Sequence, residues 1–176
     1  MYYFCGLMVE TDRLLIQPLS RRQLFQYFRN DGSFETGLNL PPANLVITPD
    51  LREAFELSIL PNVQDHRRSR FFYTLWTVIR KQNPCLVGDL LFKGPPNPMG
   101  EIEIGYGTNP DFRGNGYMTE AVGALVRWAF SQPEVLCVLA ETERTNPASM
   151  RILEKNKFEL FSRNDHTYLW RIEKTT

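Results

Sequence analysis

Cysteine and histidine are scarce in this chain. Its 176 residues include three cysteines and two histidines. Cys5, Cys85 and Cys137 are odd in number, widely spaced and without a C-x-x-C pair, which argues against a disulfide framework and a zinc ribbon. His66 and His166 are far apart in sequence. We therefore expect no histidine-based metal site and no bound metal.

An excess of charge of one sign is also missing. The 20 Lys+Arg residues balance the 20 Asp+Glu residues, so the formal net charge is zero. Proteins that hold nucleic acid by bulk electrostatics are usually strongly basic, and we expect no direct nucleic-acid partner. A local anion site stays open, because a helix start can bind an anion through backbone N–H groups alone.

Long apolar runs are absent as well. No run approaches the roughly 20 residues that span a bilayer, so we expect no membrane partner. Residues 1–9 are apolar but lack the basic segment that opens a signal peptide, and Glu10 and Asp12 follow at once. We expect a cytoplasmic protein. The 43% apolar and 23% charged composition predicts one globular domain over residues 1–176, with its core at about residues 9–172.

The first half of the chain divides into short patterned segments. Residues 14–16 (LLI) predict a strand, and a helix with an apolar stripe begins near Ser20. Thr48 before a proline is typical of a helix N-cap and predicts a second helix. Residues 71–79 and 85–92 are aromatic and β-branched around a turn, which predicts a hairpin.

The second half predicts a strand–helix–strand unit. Residues 101–106 (EIEIGY) alternate with period two, and an apolar helical stripe begins after Gly116. Residues 135–140 (VLCVLA) form a nearly continuous apolar strand. This spacing indicates a βαβ unit with parallel strands. Together with the hairpin it predicts a mixed sheet with helices packed on it.

A loop with two glycines precedes the helix of this unit. Residues 113–118 (RGNGYM) bring the backbone close to any ligand, and the N–H groups of the first helical turn form an anion site for phosphate. The loop lacks the Gly-Lys-Ser/Thr of a P-loop and does not fit G-x-G-x-x-G. A simple tight turn explains the glycines equally well.

A second segment begins a shorter helix. Asn146 before Pro147 is typical of an N-cap, and Ser149 lies in the first turn. Capping alone accounts for these residues, without any ligand.

Together the two segments resemble the GNAT superfamily of acetyl-CoA-dependent N-acetyltransferases. Residues 113–118 are similar to its Q/R-x-x-G-x-G/A acyl-CoA signature, and residues 146–158 to its N-x-x-S…L-E-K-x-G-F segment. Three more segments resemble the branch that contains the ribosomal-protein serine/alanine N-terminal acetyltransferases: residues 10–14 (ETDRL), 103–106 (EIGY) and 116–121 (GYMTEA). The resemblance covers nearly the whole chain.

The resemblance implies a fold and a reaction. The expected fold is the GNAT fold, an α+β architecture with a mixed, mainly antiparallel sheet of about seven strands flanked by about four helices. The expected reaction is direct attack of a primary amine on acetyl-CoA in a ternary complex. The acceptor is a protein N-terminal amine or a small amine, and a homodimer stays open.

The resemblance also implies which residues bind the acyl donor. Backbone N–H groups of the loop would hold the pyrophosphate, and pantetheine would run beside residues 104–106 like an added strand. Asn146 would contact pantetheine, and Ser149 would lie near the sulfur. The implied binding residues are Ile104, Gly105, Tyr106, Arg113, Gly114, Asn115, Gly116, Tyr117, Met118, Asn146 and Ser149.

The resemblance indicates the proton-transfer groups less clearly than the binding residues. Glu103 is our first candidate for the general base, on the strand beside the thioester. Its rivals are Glu101, Glu141, Glu143 and an ordered water. The family's frequent tyrosine acid corresponds to Leu153 here, which leaves Ser149 as the candidate acid, or an unaided thiolate.

Two departures from the family pattern favour other functions. Met118 replaces the last Gly or Ala of the signature, and Leu153 replaces the tyrosine. They favour a GNAT-fold protein that binds acyl-CoA without turnover, and an interaction module is the other alternative. Residues 66–70 (HRRSR) are typical of a solvated loop and could also attract an acidic protein or RNA surface.

Overall fold

The structure is a computed structural model that describes residues 8–63 and 71–175 of the chain. Cys5, His66 and the basic residues 66–70, which the sequence singles out, lie outside the described residues.

The described chain begins with two short strands and a capped helix. Strand β1 spans Val9–Glu10 and pairs antiparallel with β2, Leu14–Pro18. Helix α1 spans Arg21–Arg29 and begins at Ser20, whose hydroxyl accepts a hydrogen bond from the Gln23 N–H. The Gln23 side chain accepts the Ser20 N–H in return, which satisfies two backbone donors. The predicted apolar stripe is buried: Leu24, Tyr27 and Phe28.

Further helical segments follow. Helix α2 spans Ser33–Gly37 and is not predicted from the sequence. Helix α3 spans Pro49–Ala54, and the Thr48 hydroxyl accepts the Leu51 N–H at 3.2 Å, which confirms the predicted cap. This helix continues through a π-helical stretch, Phe55–Ile59, into α4, Leu60–Asn62.

The predicted hairpin and βαβ unit are confirmed. Strands β3 (Leu75–Arg80) and β4 (Cys85–Phe92) pair antiparallel, and β4 pairs antiparallel with β5, Glu101–Thr108. Helix α5 (Tyr117–Phe130) connects β5 to β6 (Cys137–Glu143), which lies parallel to β5.

Strand β6 begins later than predicted. The N–H groups of Leu136 and Cys137 both donate to the Gly100 carbonyl, at 2.8 and 3.1 Å. These bonds direct the chain into the sheet only at Cys137. The Leu136 side chain is 55% exposed, so the apolar run at residues 135–140 is not buried throughout.

The chain ends with a helix and a hairpin. Helix α6 spans Pro147–Lys155, and β7 (Glu159–Arg163) pairs antiparallel with β8, Thr167–Glu173. Over the described ranges the eight strands form one sheet in the order β1-β2-β3-β4-β5-β6-β8-β7. The expected mixed, mainly antiparallel sheet is confirmed, and the two-residue β1 accounts for the eighth strand.

Two apolar clusters cover the two faces of the sheet. One joins β3, β4, β5 and β6 to α5, and Trp128 of α5 lies 4.8 Å from Trp76 between ring centroids. The other lies under α1 to α4, where the Phe28 and Phe55 rings stack at 3.9 Å. Among the described helices, none has the length and apolarity needed to cross a bilayer.

Candidate active site

The two parallel strands separate before they end. Strand β5 pairs with β6 at Glu101, Ile102 and Glu103, opposite Cys137, Val138 and Leu139. In the described structure that pairing stops there, while β5 continues to pair with β4 from Ile104 to Thr108. The backbone of Ile104, Gly105 and Tyr106 therefore has one edge in the sheet and one edge facing the opening between β5 and β6.

Residues 113–118, which we call the glycine loop, lie between β5 and α5. Gly114 and Gly116 have φ values of +77° and +75°, a conformation that favours glycine. A Cβ added at Gly114 would meet nothing within 4 Å, so the loop has open space beside it. The Asn115 side-chain amide donates hydrogen bonds to the Phe112 and Arg113 carbonyls, at 3.2 and 3.0 Å.

Helix α5 begins without the side-chain cap that α1, α3 and α6 have. Gly116 occupies its N-cap position, and within the described chain no side chain accepts its first N–H groups. Backbone donors at such a helix start attract an anion, because they add to the positive end of the helix dipole.

Three arginines surround the glycine loop. The Arg13 guanidinium lies 4.8 Å from the centroid of the Tyr117 ring, and Arg80 lies 5.6 Å from the centroid of Phe112. A hydrogen bond with Tyr117 raises the pKa of Arg80. The exposed Arg113 donates to the Thr108 carbonyl at 3.4 Å. Arginine side chains thus lie beside this loop although the net charge of the chain is zero.

Two hydroxyls meet across the opening. The Tyr106 Oη of β5 lies 2.8 Å from the Ser149 Oγ of α6 and donates to the Ser149 carbonyl at 3.2 Å. Burial raises the pKa of Tyr106 to about 12, although the hydrogen bond with Ser149 opposes the shift. Tyr106 therefore stays protonated at neutral pH and can donate to Ser149 or to a bound group.

Helix α6 begins with a satisfied cap. The Asn146 Oδ1 accepts the Ser149 N–H at 3.1 Å, and Pro147 occupies the first helical position, as the sequence predicts. The cap fixes the backbone of Ser149, and with it the position of the hydroxyl that meets Tyr106.

The candidate bases occupy different settings. The side chain of Glu103 is 31% exposed and forms an ion pair with Lys93, the residue that directly follows β4. Glu101 accepts the Asn97 amide at 2.8 Å, beside the turn that precedes β5. Glu143 accepts the Thr145 hydroxyl at 3.4 Å, and Glu141 is exposed. Of the four, Glu103 is the one at the residue where β5 and β6 part.

The two departures that favour other functions, Met118 and Leu153, both face the core. Met118 is 3% exposed and its Cε lies 3.0 Å from a Cβ built on Gly88, so its side chain packs beneath α5 rather than towards the glycine loop. Leu153 is fully buried in the same cluster and carries no proton to donate. Lys157, where the family has glycine, keeps a φ of +66°.

A model of the acetyltransferase (GNAT) domain matches residues 13–159. The chain belongs to the GNAT acetyltransferase family. The uncharacterized N-acetyltransferase YjdG of Bacillus subtilis (strain 168) is 40% identical over 85 residues, 48% of this chain and 51% of that protein. The chain spans about half the length of YjdG and of a second Bacillus subtilis relative, YnaD.

Solved structures share the fold of this GNAT family member over nearly its full length. RimL, a ribosomal L7/L12 alpha-N-protein acetyltransferase in complex with coenzyme A, has a TM-score of 0.67 at 15% identity, covering 95% of this chain and 98% of RimL. An acetyltransferase from Agrobacterium tumefaciens str. C58 has a TM-score of 0.65 at 22% identity, covering 99% and 98%.

Two features of this GNAT family member were not predicted from the sequence. The first is the contact between Tyr106 and Ser149, for which no spacing rule exists because the residues lie on different elements. The second is the buried Asp89 on the opposite face of the sheet, which accepts the Tyr27 hydroxyl at 2.8 Å. A lone Asp in the apolar run of β4 was the available signal, because charged residues are rarely buried unless paired.

Proposed function

We propose that this GNAT acetyltransferase transfers acetyl from acetyl-CoA to a primary amine. The observation that carries the proposal is the opening between β5 and β6, where the edge of residues 104–106 is available beside an uncapped helix start. An extended ligand with an anionic end fits this combination, because strand edges bind extended chains and helix starts bind anions.

The residues at the opening fit acetyl-CoA. The open space at Gly114, the N–H groups that follow Gly116, and the nearby arginines suit a pyrophosphate. The edge of β5 suits the amide groups of pantetheine, with Asn146 on the far side. Binding supplies an acetyl thioester to the site. We assign the remaining positions of the loop, Arg113, Asn115, Tyr117 and Met118, to the same site through their backbone.

The reaction requires two proton transfers, which side chains of the protein would carry out. Forming the amide bond requires the amine to lose a proton, and breaking the carbon–sulfur bond leaves a thiolate that accepts one. Glu103 is our base, since it is the residue at which β5 and β6 part. Ser149 is our acid, because Tyr106 can pass a hydrogen bond to its hydroxyl.

The acceptor that we favour is a protein N-terminal amine. The similarity of residues 10–14, 103–106 and 116–121 to the N-terminal acetyltransferase branch supports this acceptor. RimL, which shares the fold, is named as an alpha-N-protein acetyltransferase. A small amine is the alternative acceptor. Residues 1–176 would form one domain, with its core at about residues 9–172, that carries the whole site in a cytoplasmic protein.

Calorimetry with acetyl-CoA followed by a thiol-release assay tests the proposal. The assay covers peptides with free N-termini, polyamines, amino acids and aminoglycosides. We expect binding, and thiol release with at least one class of amine. Absence of binding would exclude the acetyltransferase site. Binding without release across the panel would support the acyl-CoA-binding alternative, which the buried Leu153 favours.

The assignment of Glu103 has a separate test. Glu103→Gln should remove the acid limb of the pH–rate profile, with Glu101→Gln as the matched control on the same strand face. A profile that Glu103→Gln leaves unchanged would show that another group, or water, takes the proton.

A further inference from the structure

One arginine fastens the glycine loop to the start of β2. The Arg13 Nε donates to the Glu120 Oε2 at 2.6 Å, and its Nη1 donates to the Asn115 carbonyl at 3.2 Å. The Nη2 lies 3.7 Å from a Cβ built on Gly116, and the guanidinium covers the Tyr117 ring. A single side chain therefore contacts the loop, its second glycine and the first turn of α5.

The carboxylate that receives Arg13 has further partners from the same segment. The Glu120 Oε1 accepts the Thr11 hydroxyl at 2.5 Å and the Arg13 N–H at 3.2 Å. Burial would raise the pKa of Glu120, but the hydrogen bonds from Thr11 and Arg13 outweigh burial and lower it. Glu120 is therefore charged at neutral pH, and residues of two segments far apart in sequence, 10–14 and 116–121, meet at one carboxylate.

We propose that Arg13 is a positioning residue that holds the glycine loop ready for the pyrophosphate of the acyl donor. The inference rests on the proposed function. Gly114 and Gly116 leave the loop with much backbone freedom, and ordering it only on binding would weaken affinity. The contacts of Arg13 with Asn115 and Glu120 order the loop beforehand.

Arg13 also neutralises a charge of the wrong sign. Glu120 suits the positive end of helix α5 but would repel a pyrophosphate bound at the same helix start. With Arg13 against it, the carboxylate presents an ion pair to the ligand instead of a bare charge. Loss of Arg13 should therefore harm pyrophosphate binding more than loss of the Glu120 charge does.

Two ligands and four variants test the inference. Coenzyme A is titrated by calorimetry, and pantetheine, which lacks the pyrophosphate and nucleotide, by NMR of the backbone amides of residues 104–106. We expect Arg13→Gln to weaken coenzyme A binding about tenfold, or about 1.4 kcal/mol, and to leave pantetheine binding unchanged. Glu120→Gln should weaken coenzyme A less, and the double variant should recover part of the loss. The affinity of Arg13→Lys for coenzyme A should lie between those of wild type and Arg13→Gln, because a point charge cannot bind Glu120 and Asn115 together.

Arg171→Gln is the matched control. Arg171 also forms an ion pair, with Glu173, and covers an aromatic ring, Phe161, but on strand β8. It should change the affinity for neither ligand. Equal weakening of both ligands by Arg13→Gln, or weakening of neither, would overturn the inference.

Hydrogen exchange of the ligand-free protein separates the two proposals. The Glu120 amide, which donates to the Gly116 carbonyl at 3.2 Å, should exchange faster in Arg13→Gln than in Arg171→Gln, and unchanged exchange would overturn the positioning role alone. A wild-type chain that fails to bind coenzyme A would overturn the proposed function itself.

Discussion

Helices α5 and α6 both begin beside the opening between β5 and β6, but they begin in opposite ways. Helix α6 has a side-chain cap from Asn146 and a proline in its first position, so its own residues satisfy its start. Helix α5 has Gly116 at its N-cap and no capping side chain among the described residues. A capped start positions a side chain, here Ser149, whereas an uncapped start keeps backbone donors for a ligand.

Gly116→Val should have the largest effect on that difference. A β-branched residue at φ +75° is strained, so the loop must change shape. We expect coenzyme A binding to weaken on the order of 100-fold, about 2.7 kcal/mol, measured by calorimetry.

Gly32→Val is the matched control for that strain. Gly32 is the N-cap of α2, also at positive φ (+79°), with nothing within 4 Å of a built Cβ. It should lose similar stability, roughly 1–2 kcal/mol, and keep its affinity for coenzyme A. Equal affinities of the two variants would mean that the uncapped start is only a tight turn.

Asp89→Asn should change stability without changing either helix start. Burial raises the pKa of Asp89 to about 6, although the hydrogen bond from Tyr27 opposes the shift. The folded protein then binds more protons than the unfolded chain between about pH 4 and 6, so the free energy of unfolding falls as pH rises through that window. Each pKa unit corresponds to about 1.4 kcal/mol.

Urea unfolding at several pH values measures this effect. The variant should lack the fall, so its free energy of unfolding relative to wild type should rise between about pH 4 and 6. Asp31→Asn gives a control of opposite sign, because hydrogen bonds from Ser33 lower the pKa of Asp31. Its stabilising contribution is present at neutral pH and is lost as pH falls. A wild-type pH slope retained in Asp89→Asn would contradict the assignment.

Tyr106→Phe tests what the fixed start of α6 positions. Removing the hydroxyl leaves Ser149 without its 2.8 Å partner. We expect kcat to fall about tenfold, within the range of proton-transfer contributions, while coenzyme A affinity changes little. Ser149→Ala should give a similar loss, and the double variant should lose no more than either alone. Additive losses would show that the two hydroxyls act separately.

Asn146→Ala should have the smallest effect. Loss of an N-cap costs about 1 kcal/mol, and thermal unfolding should show it. Thr48→Ala removes the corresponding cap of α3 and should cost a similar amount. If the cap positions Ser149, only Asn146→Ala should also lower kcat, and equal activity of the two variants would limit Asn146 to stability.

Much of the fold could be predicted from local sequence patterns. The caps at Ser20, Thr48 and Asn146, the stripe of α1 and the alternation in β5 are readable because each depends on residues a few positions apart. Helix α2 escaped prediction because a single short turn has little periodicity to detect. The late start of β6 depends on Gly100, a residue far away in sequence.

The sequence by itself determined that the chain carries the GNAT motifs, and that two glycines precede helix α5 in a chain of zero net charge. Only the tertiary structure decided how those segments combine. It separated β5 from β6 after Glu103, placed the Ser149 hydroxyl against Tyr106, turned Met118 and Leu153 into the core, and joined Arg13 to Glu120. The physical reason is the separation of the residues in sequence. Caps and alternation depend on residues a few positions apart, whereas these contacts form only when the sheet brings distant segments together.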